Sequence, residues 1–429
     1  MADSTNYYFQ DESIMREKKT FIERQLNACY LLFVLATLLF SPFANAEKKK
    51  NYSVSQGTYK VLTKSRKLSG ESRYLEAITA LNKQLPKITK SRYEVALIHQ
   101  HLAYIYLEKN QHNKALIELQ KTLQDSDTLP PKSVQDLRYN LAQVYMQTEQ
   151  YSKALPVLEQ WFLQEKKPKA DAWYLKSLAY YKLEQFSSAA SPLKKAIALS
   201  PHENWSVLLL SIHLEQKHYR QAATVLNRLL DLYPQKKKYW MHLTDVHLML
   251  KDYTKALATL KLASHSVTLE EKDILRLAQL YLHKNIPYSA AELLLINMQK
   301  KKVKTNATNL ELLANSWAMA REHKKELKYL QKAAGMTNDG QLYQRCGQIL
   351  LQMERWNEAI IQLKKALSKG NLKQPQQSYL LIGIAAYNAN KFKTSSWAFT
   401  QASKYKKTKK QAERWLQQIK QSSQKIEQS

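Results

Sequence analysis

Residues 172–201 read AWYLKSLAYYKLEQFSSAASPLKKAIALSP, and the spacing inside them decides what kind of chain this is. Trp173 and Tyr180 stand two helical turns apart; Phe186, Ala189, Leu193, Ala196 and Leu199 then step by three and four. Each set places apolar residues on one face of a helix. Pro201 ends the second helix, because it has no amide hydrogen to donate and disfavours helix in the residue before it. The same figure recurs on both sides of this stretch. An aromatic residue followed three positions later by an alanine is found at Tyr74/Ala77, Tyr151/Ala154, Tyr219/Ala222, Tyr253/Ala256 and Trp356/Ala359. Weaker copies are His112/Ala115, Pro287/Ala290, His323/Glu326 and Phe392/Ser395, and successive copies lie 33 to 39 residues apart.

That period, with its small residue and aromatic anchors, is the tetratricopeptide (TPR) signature. The expected fold class is all-α: a TPR superhelical solenoid of about nine to ten helix-turn-helix units following a cleaved signal peptide. Each unit is a pair of antiparallel helices that cannot bury its apolar face alone, so neighbours stack and share a core. The small residue marks the closest approach of two helices. Composition agrees: 7 glycines and 11 prolines in 429 residues supply few turns for strands and hairpins. The expected layout is a signal peptide over 1–46, a basic linker over 47–56, the solenoid over 57–402, and a capping helix with a polar tail over 403–429, the cap carrying Trp415, Leu416 and Ile419.

The N-terminal segment has the grammar of an export signal. ACYLLFVLATLLF (28–40) follows Arg16, Lys18, Lys19 and Arg24, and it precedes Pro42 and the small residues Ala44 and Ala46. This A-x-A pattern predicts cleavage between Ala46 and Glu47. The apolar run is shorter than the roughly 20 residues a spanning helix needs, so no integral membrane segment is expected after cleavage. Cys29 sits at the start of the run, not after it, which argues against a lipid-modified cysteine. Met15 makes a better start than Met1, and the predicted location is the periplasm. Cleavage leaves Cys346 without a disulfide partner, and its apolar surroundings predict a buried structural thiol.

The formal charge is +30, and its carriers run through the whole chain. Export makes nucleic acid a poor partner for them and leaves acidic proteins or anionic envelope surfaces such as lipopolysaccharide, peptidoglycan and phospholipid. Motifs for chemistry are missing. The sequence shows no glycine-rich phosphate loop, no GxSxG, no HExxH and no CxxC. His99 and His101 are two apart on a helix, and His242 and His247 five apart, so neither pair offers a shared ligand face. No catalytic residue, metal ligand or cofactor is assigned. The expected site is instead a protein-binding groove lined by the first helices: Asp136, Tyr139, Gln143, Met146, Asp171, Tyr174, Tyr181, Asn204, Met241, Asp245, Gln279, Asn315, Gln344 and Gln348. Aromatics and amides on a preformed surface suit an extended or helical peptide. The competing expectation is that the tyrosines and methionines simply pack between helices, which would account for about half of the list.

The segments LLDLYPQKKKYWMHLTDVHLMLKDYTKALATLKLA, LRLAQLYLHKNIPYSAAELLL and GQLYQRCGQILLQMERWNEAIIQLKKAL carry more than the generic repeat. They resemble the periplasmic TPR proteins that accompany some TonB energy-transduction systems. The resemblance implies a partner among TonB, ExbB and ExbD, in a complex that delivers inner-membrane proton-motive force to outer-membrane receptors for iron-siderophore uptake. It implies no catalytic residues. The basic balance is higher than that family's usual composition. The competing expectation is an envelope-assembly scaffold that binds lipopolysaccharide, peptidoglycan or outer-membrane assembly partners through its basic surface.

Overall fold

The computed structural model describes residues 52–427, with side chains described as far as Gln421. The expected signal segment and its cleavage at Ala44, Ala46 and Glu47 lie outside the described residues. Within them the chain forms 21 α-helices and no strand. Ten pairs follow one another: α1 Gln56–Gly70 with α2 Tyr74–Gln84, α3 Arg92–Glu108 with α4 His112–Gln124, α5 Pro131–Gln147 with α6 Tyr151–Gln164, α7 Ala170–Lys182 with α8 Phe186–Leu199, α9 Glu203–Glu215 with α10 Tyr219–Leu232, α11 Lys237–Met249 with α12 Tyr253–Ser266, α13 Glu271–His283 with α14 Pro287–Gln299, α15 Ala307–Met319 with α16 His323–Gly335, α17 Gly340–Gln352 with α18 Trp356–Lys369, and α19 Pro375–Asn388 with α20 Phe392–Ser403. A last helix, α21, spans Lys409–Glu427. The described residues divide into two compact units, one ending at Leu229 and the other beginning at Leu230, inside α10.

Every aromatic, histidine or proline that marked a repeat opens the second helix of a pair. The small residue three positions on is buried in all ten: Ala77, Ala115, Ala154, Ala189, Ala222, Ala256, Ala290 and Ala359, with Glu326 and Ser395 in the two irregular copies. One turn further each second helix carries a large apolar group with no exposed surface. Leu81, Leu119, Leu158, Leu193, Leu226, Leu260, Leu294, Leu330, Leu363 and Phe399 are all fully buried. Facing them from the first helix, twelve positions before the small residue, come Ser65, Ala103, Ala142, Ser177, Leu210, Thr244, Ala278, Ala314, Gly347 and Gly383. Nine of these ten are small, and the two helix backbones close on one another there. The Ser177 hydroxyl donates to the Ala189 carbonyl at 2.8 Å, and the Ser395 hydroxyl donates to the Gly383 carbonyl at 2.8 Å, twelve residues apart in both cases. A Cβ added to Gly347 would stand 2.5 Å from Leu363 Cγ, and one added to Gly383 would stand 2.6 Å from Phe399 Cε1. The bulk of the second helix is therefore matched by absence of bulk on the first.

The turn inside each pair is also constant, although its residues are not. Ser72, Asn110, Glu149, Glu184, Lys217, Lys251, Asn285, Arg321, Glu354 and Asn390 each stand two residues before a second helix and each has φ between 54° and 60°. Each donates its amide three residues back, and the next residue donates five residues back, as Asn110 to Leu107 at 2.9 Å and Gln111 to Tyr106 at 2.8 Å. This is the Schellman termination, in which a left-handed residue lets the chain satisfy the last carbonyls of the first helix and reverse. None of the ten is glycine.

Caps and ion pairs fix the remaining ends. Ser55, Ser91, Asp252, Asn306 and Asp339 accept amide hydrogen bonds in the first turns they precede. Glu270 and Asp273 form a reciprocal capping box at α13, and Lys237 Nζ, at the start of α11, holds both carboxylates at 2.8 and 2.6 Å. At the C-terminal end α21 buries Ala412 and Ile419 against Leu380, Phe399 and Ala402, with Trp415 stacked on Phe399 at 5.5 Å. No helix of the described residues is long and apolar enough to cross a membrane.

Candidate functional site

The first helices carry the residues expected to line a groove, and the two units equip them differently. In the N-terminal unit the face is aromatic and acidic. Tyr139 lies 5.0 Å from Trp161, which continues through Phe162 at 5.1 Å to Trp173 at 4.4 Å. Tyr174 stacks on Trp205 at 5.0 Å with the rings 15° apart, and His202 closes on the same indole at 4.3 Å. Asp136 is exposed and Asp171 half-buried. Burial raises the Tyr139 phenol above its ordinary range, and the Asp171 charge beside it adds to the effect. Tyr104 is raised chiefly by burial too, with Asp136 nearby; its hydroxyl accepts from Gln100 Nε2 at 3.2 Å and Asn140 Nδ2 at 3.5 Å. Partial desolvation by its neighbours raises the Asp136 carboxyl although the residue is exposed, with Lys132 opposing and Glu165 adding to the effect. Tyrosine hydroxyls and carboxylates thus alternate along α3, α5 and α7. Gln143, Tyr181 and Asn204 belong to the same face and are half-buried. Met146 is 4% exposed and packs into the core, so it presents nothing to a partner.

In the C-terminal unit the corresponding positions neutralise one another. Asp245 on α11 pairs with Arg276 on α13. Arg345 on α17 donates to Glu311 at 2.9 Å and to Asn315 at 2.7 Å, both on α15. Gln344 Nε2 donates to the Ser378 hydroxyl on α19 at 2.9 Å. Met241, Gln279 and Gln348 lie between these rungs, Gln279 exposed and the other two half-buried. The arginines of this ladder were not singled out by sequence, although each carboxylate has its cation about one repeat further along the chain.

The remaining candidates for chemistry disperse. His99 Nδ1 meets Glu118 at 2.5 Å, with Lys121 on the other carboxylate oxygen at 2.9 Å, whereas His101 faces Arg66 at 3.5 Å. Burial, then Arg66, lowers the His101 pKa to about 4. Among the described residues no three of His, Cys, Asp and Glu are grouped to hold a metal ion. Cys346 is fully buried, and desolvation pushes its thiol up to about 12. Such a thiol is inert at neutral pH.

A model of the tetratricopeptide repeat matches residues 139–204 and 208–265. This stretch carries recognisable tetratricopeptide repeats, and the described residues fold as an all-helical, TPR-like solenoid. No curated protein matches this chain. Among solved structures it is similar to a tetratricopeptide repeat protein from Parabacteroides merdae ATCC 43184, with 15% identity over 61% of this chain and 99% of that one at a TM-score of 0.36. It is also similar to YrrB, a TPR protein described as having an unusual peptide-binding site, with 19% identity over 43% of this chain and 90% of that one at 0.34. Yeast Tom70 aligns at 12% identity over 86% of this chain and 96% of that one at 0.30. TPR folds are protein-interaction scaffolds, generally without catalytic activity of their own, and no enzyme family is indicated here.

Proposed function

We propose that the protein is a non-catalytic periplasmic scaffold that binds other proteins on its first-helix face, as an accessory of a TonB–ExbB–ExbD complex supporting iron-siderophore uptake. The face of the N-terminal unit carries the binding half of this reading: tyrosines 139 and 174 beside Asp136 and Asp171, an acidic aromatic strip in a chain of charge +30. Such a strip favours an extended segment with basic and apolar side chains, since carboxylates steer cations to it and the rings supply contact area. The TonB assignment is supported by the resemblance of the segments within 229–263, 275–295 and 340–367.

The test is capture. The tagged chain is exposed to a periplasmic extract and, separately, to purified periplasmic portions of TonB, ExbB and ExbD. One of these should be retained in 0.5 M salt, where exposed charges are screened within a few ångströms, and the pair Asp136→Lys and Asp171→Lys should weaken retention about tenfold. Recovery of a different assembly with no TonB component would sink the TonB reading while leaving the groove in place. Retention indifferent to both substitutions would move the site away from the N-terminal unit.

A further inference from the structure

The second helices of the C-terminal unit build a surface of another kind. Counting from the small residue of each repeat, positions two before, two after and six after lie on one solvent-facing stripe, because they are spaced by four. On α16 the three are Lys324, Lys328 and Lys332, all exposed. Together with Gln331 and Arg355 they line an open depression of about 450 Å³ floored by Leu327. None of the three has a carboxylate within 4.0 Å among the described residues, whereas Lys325, one step round the helix, has Glu322 at 3.5 Å. Like charges at this spacing repel and destabilise their helix. Nothing in the core requires them.

The stripe continues onto the neighbouring second helices with a regular admixture of exposed apolar groups. On α14 it presents Tyr288 and Ile296 with Glu292 between them, on α18 Ile361 and Lys365, and on α20 Lys393 and Trp397. Ile361 is 53% exposed and Trp397 43%. Contacts join the stripes: Lys325 Nζ lies 5.3 Å over the Tyr288 ring, Arg355 of the loop before α18 lines the α16 depression, and Lys364 Nζ lies 5.9 Å over Trp397. The stripe positions therefore hold five lysines against the single carboxylate Glu292, with exposed aromatic and branched aliphatic side chains among them, while at its edge Arg355 is paired with Glu358 and Lys325 with Glu322.

We propose that this second-helix face docks on an anionic phospholipid bilayer, the lysines meeting headgroup phosphates and Trp397, Tyr288 and Ile361 entering the interfacial layer. Lysine heads set on an apolar surface match a charged interface, tryptophan and tyrosine are the side chains that partition to that depth, and each lysine near an anionic leaflet adds to the attraction. A soluble acidic protein would be met by the same charges. The exposed aromatic and aliphatic groups, Tyr288, Ile361 and Trp397 among them, and the spread over four helices favour an extended surface instead. The proposal does not depend on what the first-helix face binds.

Vesicle co-flotation of the full chain tests it, with vesicles of phosphatidylcholine alone and with 30% phosphatidylglycerol. The neutral vesicles report any contribution from the apolar run 28–40, which every variant retains. At 150 mM salt the anionic vesicles should retain at least ten times more protein than the neutral ones. Lys324→Glu, Lys328→Glu and Lys332→Glu together should remove most of that difference, whereas Lys60→Glu, Lys64→Glu and Lys67→Glu on α1, an equal change of net charge, should leave it. Trp397→Ala should weaken flotation severalfold, and the blue shift in tryptophan emission on anionic vesicles should shrink with it. Equal retention by both vesicle types overturns the proposal, and so does equal loss in the two lysine triples. Abolition by millimolar pyrophosphate without any response to Trp397→Ala would also overturn it, pointing to a discrete anion site in the α16 depression.

Discussion

The ten non-glycine residues in left-handed turns make a stability reserve that can be released by substitution. Lys251, Arg321 and Glu354 are the cleanest sites: each is exposed, each has φ between 57° and 60°, and none makes an ion pair among the described residues. A side chain with a Cβ costs about 1–2 kcal/mol in this conformation, and glycine returns roughly half of that through its larger loss of freedom on folding. The balance is a gain of roughly 0.5–1 kcal/mol per site. The three turns belong to different repeats and should add, so Lys251→Gly, Arg321→Gly and Glu354→Gly together are expected to stabilise the C-terminal unit by about 2 kcal/mol. Urea denaturation read by circular dichroism would show the midpoint moving up. Because solenoids can unfold piecewise, amide exchange in α12, α16 and α18 should slow in parallel. The matched alanine triple separates backbone from side chain: alanine keeps the Cβ and should stay near the parent. If the alanine triple gains as much as the glycine triple, the benefit comes from removing charged side chains. If the glycine triple gains nothing, the left-handed turn is not the strain argued here.

Other expectations follow from the packing and from pH. Ala189→Leu or Ala256→Leu should overpack the closest approach of its helix pair and cost about 1–3 kcal/mol in urea denaturation. Gly383→Ala should cost a similar amount, since its Cβ would lie 2.6 Å from Phe399, and adding Phe399→Leu should recover part of the loss in a double-mutant cycle. His213 is 3% exposed with its Nδ1 unpartnered, and burial, then Lys194 and His218, lowers its pKa to about 4. Its neutral form is the folded one. The unfolded chain therefore binds more protons between about pH 4 and 6.5, and stability complete above 6.5 is lost as pH falls through that window, by up to roughly 3 kcal/mol. His213→Tyr, which places there the residue found in the same position as Tyr106, Tyr145, Tyr180 and Tyr281, should flatten this limb of a pH–stability profile.

Much of the fold was legible because burial imposes one requirement repeatedly. The second-helix leucines and alanines recur with little variation, and they place ten helix starts correctly even where the marking residue is His112, Pro287 or His323. The turn was not legible. Its demand is on φ, and Ser, Asn, Glu, Lys and Arg all meet it, so no residue type repeats. The first-helix partner of the small residue was hidden for a related reason: Ser65, Ala103, Thr244 and Gly347 share only a lack of bulk. The register places the groove residues on the first helices, but side-chain pairing between successive first helices decides which remain free. Asp245 and Asn315 are engaged by Arg276 and Arg345, while Asp136 keeps an exposed carboxyl. A search for opposite charges about one repeat apart would have found the Asp245–Arg276 and Glu311–Arg345 rungs.

The net charge of +30 is a sum, whereas a partner meets one face. On α5 and α7 of the N-terminal unit Asp136, Tyr139, Asp171 and Tyr174 share the first-helix face; in the C-terminal unit Asp245 and Glu311 are paired with Arg276 and Arg345, and Lys324, Lys328 and Lys332 stand exposed on the second helix α16. These two surfaces should respond oppositely to the same reagents. A basic peptide should compete for the first and ignore the second, and an anionic bilayer the reverse. If both ligands are held, their binding should be independent, because the residues proposed for each lie on different helices of different units. Strong mutual competition between them would show that bulk charge, and not the placement of side chains by the repeat, governs what this chain binds.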